Sequence, residues 1–293
     1  MKFTVVSLMP ELVRSAFQHG LVGQAIAKGL VGLETKNPRE FGEGVHRAVD
    51  DRVFGGSDGM LMQAEPLAKC LDHILSAYKP PKTKPKLLHL SPRGALFTDQ
   101  VAREMALSGR DIVLVASRYA GVDQRWLEEY EVDELSIGDY VLSGGELPAC
   151  IVIEAVARHV PGVLGNSTSS VKDSFHDGLL EGAQYTRPQT WRGREVPGVL
   201  LCGDQKLISY YEKLQSLKVT AERRPDLLHG FGFDQAQALV AEILGRLASV
   251  LREPGVPAVR KSAALELETV ARDVAGLLNE VRISQQEAKR PER

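Results

Sequence analysis

Residues 87–123 read LLHLSPRGALFTDQVAREMALSGRDIVLVASRYAGVD. Leu87–Leu90 is a short apolar run that stops at Ser91-Pro92-Arg93-Gly94, and Thr98 is an N-cap residue for a helix to about Leu107. Ile112–Ala116 is a second apolar run, stopping at Ser117-Arg118-Tyr119-Ala120-Gly121, with a helix from about Asp123 to Glu131. Ile112–Ala116, apolar at every position, suits a strand buried on both faces. Strand and helix in alternation predict an α/β domain with a mainly parallel sheet. Ligands of such sheets sit outside the carboxyl ends of the strands, where these polar, glycine-bearing loops fall.

Toward the N-terminus, Phe3–Leu8 reads as a strand feeding a helix over Glu11–Gln18. A second helical piece, Leu21–Lys28, leads into Leu30–Thr35, and Asn37-Pro38 breaks the pattern. Residues 39–59 turn polar and glycine-rich, a length of unpatterned chain that suits a functional loop better than a connector. Pro66–Tyr78 predicts a helix, and the lysine- and proline-rich stretch 79–86 an extended, solvated turn.

Toward the C-terminus, the third glycine-bearing loop is Leu135-Ser-Ile-Gly-Asp-Tyr-Val-Leu-Ser-Gly-Gly-Glu-Leu-Pro148. An apolar helix over Ala149–His159 closes at Pro161-Gly162, and its Cys150–Ile153 face belongs to a core. The small, polar run Gly165–Ser170 predicts a mobile linker and a domain boundary near residue 165. Asp234 is placed to cap a helix through Val250. Beyond Pro254, residues Leu267, Val270, Val274, Leu277 and Val281 recur every three or four positions, the stripe of an amphipathic helix, with 285–293 as a frayed tail.

A chain of 293 residues has room for one large domain or two ordinary ones, which excludes a disulfide-stapled miniprotein. Cys70, Cys150 and Cys202 lie far apart and odd in number, arguing against a disulfide framework or a zinc site and for a reducing cytoplasm. No signal peptide or membrane span is evident. A net charge of −2 excludes an indiscriminate polyanion binder. It averages over a local strip, however: residues 182–230 hold eight Lys/Arg against five Asp/Glu. Arg187, Arg192, Arg194, Arg223 and Arg224 there interleave with Tyr185 and Trp191, a composition suited both to a solvated surface and to phosphate contact with base stacking.

Among common catalytic patterns there is no Walker A motif, HExxH, G-x-S-x-G elbow, or G-x-G-x-x-G after the first strand. The third loop is the most specific feature. Its three glycines within eight residues allow close backbone approach to a ligand, and Tyr140, Val141 and Leu142 supply an apolar wall.

The run Ser136–Pro148, with Pro161-Gly-Val-Leu-Gly165, Asp173-Ser-Phe175, Tyr185-Thr-Arg-Pro188 and Val49-Asp-Asp-Arg52, resembles the bacterial tRNA (guanine-N1)-methyltransferases over roughly residues 1–250. The resemblance implies a SPOUT-type α/β domain over 1–164, its parallel sheet ending in a C-terminal trefoil knot, a rare exception to unknotted chain topology. A flexible linker (165–173), a small, mainly helical tRNA-binding domain (174–251) and an extension with a tail (252–293) then follow. It implies a cytoplasmic homodimer with each active site at the subunit interface. The activity implied is transfer of a methyl group from S-adenosylmethionine to N1 of the guanosine immediately 3′ to the anticodon in tRNA.

Carried over position by position, the donor pocket takes Leu90 and Pro92 from the first loop and Ser117, Tyr119 and Gly121 from the second. The third contributes Ile137, Gly138, Asp139, Tyr140, Val141, Leu142, Gly144 and Gly145. The implied general base is Asp173 and the implied catalytic arginine Arg158. By spacing alone, Arg158 is a helix-face partner of Glu154 and Asp173 a linker charge. Two positions depart from the family's Gly-Arg-Tyr-Glu-Gly: Ser117 and Ala120 replace its first glycine and its glutamate. The glutamate bears on seating of the target base and on the Mg2+ dependence the resemblance implies. Its absence motivates one alternative, a SPOUT methyltransferase acting at another RNA position; the other alternative is a non-catalytic RNA-binding SPOUT module, against which the matches at Asp173 and Arg158 argue.

Overall fold

The computed structural model describes residues 1–56, 58–80, 83–165 and 173–288. The chain divides into two compact units, Met1–Ser170 and Val171–Arg293. The linker expected over 165–173 lies mostly outside the described residues.

The first unit is built on five strands: β1 (Lys2–Ser7), β2 (Gly32–Lys36), β5 (Lys86–Leu96), β6 (Ile112–Ala116) and β7 (Asp133–Ser136). They pair in the order β2-β1-β6-β5-β7, every pair parallel. All five residues of β6 are buried, as expected for a central strand covered on both faces. Alternation within the strands sorts their side chains between two helical layers. Phe3, Val5, Ile112 and Leu114 pack with α1 (Pro10–Ala16), α2 (Gly20–Ala27), α4 (Asp99–Leu107) and α6 (Glu146–Arg158). Val6, Val113 and Val115 point the other way, to α3 (Ala64–Leu75) and α5 (Gln124–Glu129).

Local signals act as the sequence predicts at several ends. The Thr98 hydroxyl accepts from the Val101 amide at 3.4 Å, and α4 ends at Leu107. Asp123 caps α5 through the Arg125 amide. The differences have physical causes. Strand β5 does not stop at Leu90: its pairing with β7 is interrupted, then resumes at Ala95 with a shifted register, so the Ser-Pro-Arg-Gly loop is an excursion within one strand. The strand expected over Leu30–Thr35 is Gly32–Lys36. The segment 39–59 is not without structure. Its Asp50–Arg52 strand (β3) pairs antiparallel with Met60–Met62 (β4), each too short for an alternating pattern to register.

The second unit carries a small hairpin, β8 (Thr190–Trp191) with β9 (Arg194–Glu195), and helices α7 (Gln205–Arg223), α8 (Leu227–Phe231), α9 (Phe233–Arg252) and α10 (Ala258–Ala288). Gly232, not Asp234, occupies the N-cap of α9, and Asp234 falls in its first turn. The sequence sets 252–293 apart as an extension and tail; in the structure α10 is central to the core of this unit. Its buried positions Ala264, Leu267, Ala271, Val274 and Leu278 recur at three and four residues and meet Leu214 and Leu217 of α7 and Val240, Ile243 and Leu247 of α9. Val270, Leu277 and Val281 of the predicted stripe only flank that seam, because alanines occupy part of it and bring the helices close. Leu267 is fully buried, so Leu267→Ala should cost about 2–5 kcal/mol of stability, read by chemical denaturation.

Candidate functional site

Strand β5 lies between β6 and β7, so the loops that follow these three strands emerge side by side at their carboxyl ends. They enclose a cavity of about 260 Å3. Of the residues predicted from sequence, Leu90, Pro92, Ser117, Tyr119, Gly121, Ile137, Gly138, Tyr140, Val141, Leu142, Gly144 and Gly145 line it. Asp139 does not; it is exposed outside the lining. Arg158 is exposed in the last turn of α6, away from that lining. Asp173 is half-buried in the second unit, where it lines a separate cavity of about 320 Å3 with His176 and Asp177.

The second and third loops are stitched together by backbone. The Gly145 amide donates to the Ser117 carbonyl at 2.9 Å, and Arg118 and Gly144 form an isolated antiparallel bridge. A Cβ at Gly145 would stand 2.6 Å from Ala116 Cα, so only glycine lets α6 begin against the end of β6. Tyr119 holds a left-handed φ of 60°, which a non-glycine residue adopts only under constraint from its surroundings. A buried charge cluster sits behind the loops. Glu146, 1% exposed in the first turn of α6, accepts from Ser7 Oγ at 2.8 Å and from Arg118 Nε at 3.2 Å. Removing Arg118 would leave the Glu146 carboxylate without its counter-charge in a dry site.

The residues that sequence reasoning missed include His89, Ser91, Ala120, Leu135, Ser136 and Pro148 of the lining. His89 had one signal, a polar residue inside the apolar run of β5. Its Nδ1 lies 3.1 Å from Glu134 Oε1 and its Nε2 2.8 Å from Ser117 Oγ. Burial, with 2% of the residue exposed, pushes the imidazole below its ordinary 6.5, outweighing the adjacent Glu134 carboxylate. Burial would raise Glu134, but hydrogen bonds from Ser91, Arg93 and His89 hold it below the usual carboxylate range. Glu134 is therefore ionised and can only accept. The Nδ1 proton of neutral His89 goes to Glu134, and Nε2 keeps a lone pair for the Ser117 hydroxyl.

The depressed histidine has a consequence for stability. Above its unfolded pKa both states are neutral and its contribution is complete. As pH falls below 6.5 the unfolded chain takes up a proton that the folded chain resists, and stability is lost. The thermal midpoint should therefore drop between about pH 7.5 and 5.5, and His89→Gln should flatten that dependence.

Chemically, the cavity combines apolar walls, backbone and neutral hydroxyls. Among the described residues, its lining contains no Asp, Glu, Lys or Arg. Among the described residues, no group of three or more His, Cys, Asp or Glu side chains is gathered to hold a metal ion, and no helix is long and apolar enough to cross a membrane. Cys70 is buried beneath the sheet, and that burial pushes its thiol up to about 12, so it is no ready nucleophile.

Comparison with known proteins agrees with this architecture. The family model described as tRNA (Guanine-1)-methyltransferase TrmD matches residues 1–230. A tRNA (guanine-N(1)-)-methyltransferase of Pseudoalteromonas translucida (strain TAC 125) is 45% identical over 236 residues, covering 80% of this chain and 91% of the relative. Proteins of the same name from Marinomonas sp. (strain MWYL1) and Vibrio vulnificus (strain YJ016) are 45% and 44% identical over 242 and 241 residues. These cover 83% and 82% of this chain, and 95% of each relative. With a family match over most of its length and relatives aligned nearly end to end, this chain belongs to the tRNA (guanine-1)-methyltransferase family.

Proposed function

We propose that this protein transfers the methyl group of S-adenosylmethionine to N1 of the guanosine immediately 3′ to the anticodon of tRNA, as a cytoplasmic homodimer. Family membership carries the reading, and the cavity at the ends of β6, β5 and β7 supports it. Its uncharged lining suits a sulfonium donor. Methyl transfer discharges that cation, so a fixed anion beside it would favour the reactant over the transition state. The tight approach of the second and third loops, Gly145 against Ser117, accords with a chain threaded as a trefoil knot. When bound, S-adenosylmethionine supplies an activated methyl group; Leu90, Ile137, Leu142 and the glycine-bearing backbone would hold it.

The remaining chemistry falls to the protein's own groups. Guanine N1 carries a proton and becomes a useful nucleophile only as that proton leaves, so a base is required. If N1–H is as weak an acid as a phenol, near ~10, and a free aspartate is near ~3.9, the mismatch is about six units or ~8 kcal/mol. Asp173 alone does not bridge it. Arg158 set against O6, where negative charge gathers as N1 loses its proton, would supply about 3–4 kcal/mol, as oxyanion donors do elsewhere. In the second unit, exposed Trp191 and Tyr185 stand among Arg187, Arg192 and Arg194, with the Arg192 guanidinium 4.9 Å over the Trp191 ring. That surface is suited to backbone and base contacts with tRNA. No Mg2+ donor set is gathered among the described residues.

One observation favours a second reading. Ala120 lines the cavity where the family loop reads glutamate, which fits a methyltransferase directed to another RNA position. Purified protein with unmodified tRNA and radiolabelled donor tests both readings. Label that disappears when the guanosine 3′ to the anticodon is replaced by adenosine supports the first; label that persists supports the second.

A further inference from the structure

The pairing of Ser117 with His89 is not explained by the family's glycine-bearing loop. Ser117 is 8% exposed and lines the donor cavity together with His89, which is 2% exposed and anchored on Glu134. The direction of this chain of hydrogen bonds follows from its far end. A carboxylate has no proton to give, so His89 Nδ1–H donates to Glu134 and Nε2 is left as an acceptor. Among the described residues, the hydrogen-bond partner of Nε2 is the Ser117 hydroxyl, at 2.8 Å. A serine is ordinarily ambidextrous, able to donate to a ligand or accept from it. Here its single proton is already committed to His89.

We propose that Ser117 is a specificity-determining residue of the donor cavity. With its proton held by His89, its hydroxyl oxygen presents lone pairs alone, and it selects an adenosine-bearing ligand through one of that ligand's own N–H or O–H donors. His89 and Glu134 act through it as positioning residues. The arrangement gives the cavity a fixed acceptor without a fixed anion, which the sulfonium chemistry disfavours. S-adenosylmethionine offers four such donors: the adenine amino group, the two ribose hydroxyls and the α-ammonium. A ligand that presents an acceptor at this point would face two lone-pair-bearing atoms with no proton between them and leave both unsatisfied.

This inference rests on the methyl-donor reading, and calorimetry separates the two. S-adenosylhomocysteine is titrated into the full-length protein and into Ser117→Ala, together with S-inosylhomocysteine, its 2′-deoxy and 3′-deoxy analogues, and 5′-methylthioadenosine. Ser117→Ala should bind S-adenosylhomocysteine about 5–10-fold more weakly, the loss of one hydrogen bond between neutral groups. One analogue, lacking the donor that meets Ser117, should be rejected by the wild type and no longer discriminated by Ser117→Ala. Unchanged affinity, or the same discrimination among analogues in both proteins, would overturn the inference while leaving the donor reading intact. Failure of the wild type to bind S-adenosylhomocysteine at all would instead overturn the donor reading. Nitrogen-15 NMR of the histidines provides the readout for His89. A proton on Nδ1 with a bare Nε2 is expected, and a proton on Nε2 contradicts the assignment.

Discussion

With Asp173 as the proposed base, Asp173→Asn should lower the rate of methyl transfer by about 10²–10⁴-fold, while tRNA binds with nearly unchanged affinity. The substitution keeps the size and most of the hydrogen-bonding capacity of the side chain and removes its ability to take a proton. Guanine N1 cannot attack while it carries that proton, so a loss confined to turnover is what removal of a base produces. Asp173 is half-buried in the second unit, and asparagine matches its volume. Filter binding of tRNA beside single-turnover methylation distinguishes the outcomes. Full activity in the variant refutes the role given to Asp173; a parallel loss of binding would make it a structural or tRNA-contact residue instead.

Gly94→Ala should destabilise the first unit by about 3 kcal/mol and, with the cavity holding the proposed methyl donor, weaken donor binding with it. A Cβ on Gly94 would penetrate the backbone of β7 at Glu134 and Leu135, not the end of a movable side chain. The place is where β5 resumes its pairing with β7 after the loop excursion, so relief requires the two strands to part. Glu134 on the same strand holds His89, and Leu135 lines the cavity, so the strain passes directly into the site. Chemical denaturation together with calorimetric titration of S-adenosylhomocysteine measures both effects. A variant with wild-type stability and affinity would mean that the strands separate here without cost.

The parallel sheet was readable because β6 is apolar at five successive positions and Thr98 and Asp123 are strong caps. These are local signals whose meaning does not depend on distant chain. The three loops were readable as a site because their glycines follow strand ends. Asp139 shows the limit of that reading: a loop run of consecutive residues cannot all face one cavity, and sequence does not say which turns outward. His89 was hidden because its partners, Ser117 and Glu134, are 28 and 45 residues away and meet it only through strand pairing. The stripe on α10 was legible in part: Leu267 and Val274 lie in the buried seam and Val270, Leu277 and Val281 pack at its edge, while Ala264 and Ala271, which carry little hydrophobic weight in a sequence pattern, complete it. Helix α7 went unassigned since its charges interrupt the apolar pattern, and the roles of Arg158 and Asp173 came from resemblance, as neither spacing nor local chemistry marks them.

The most direct test of the proposed activity is mass mapping of nucleosides after incubating the purified protein with S-adenosylmethionine and tRNA transcribed without modifications. The account predicts 1-methylguanosine at the position immediately 3′ to the anticodon and nowhere else. Methylation at a different nucleotide, or none while the Vibrio vulnificus relative is active in parallel, would contradict it.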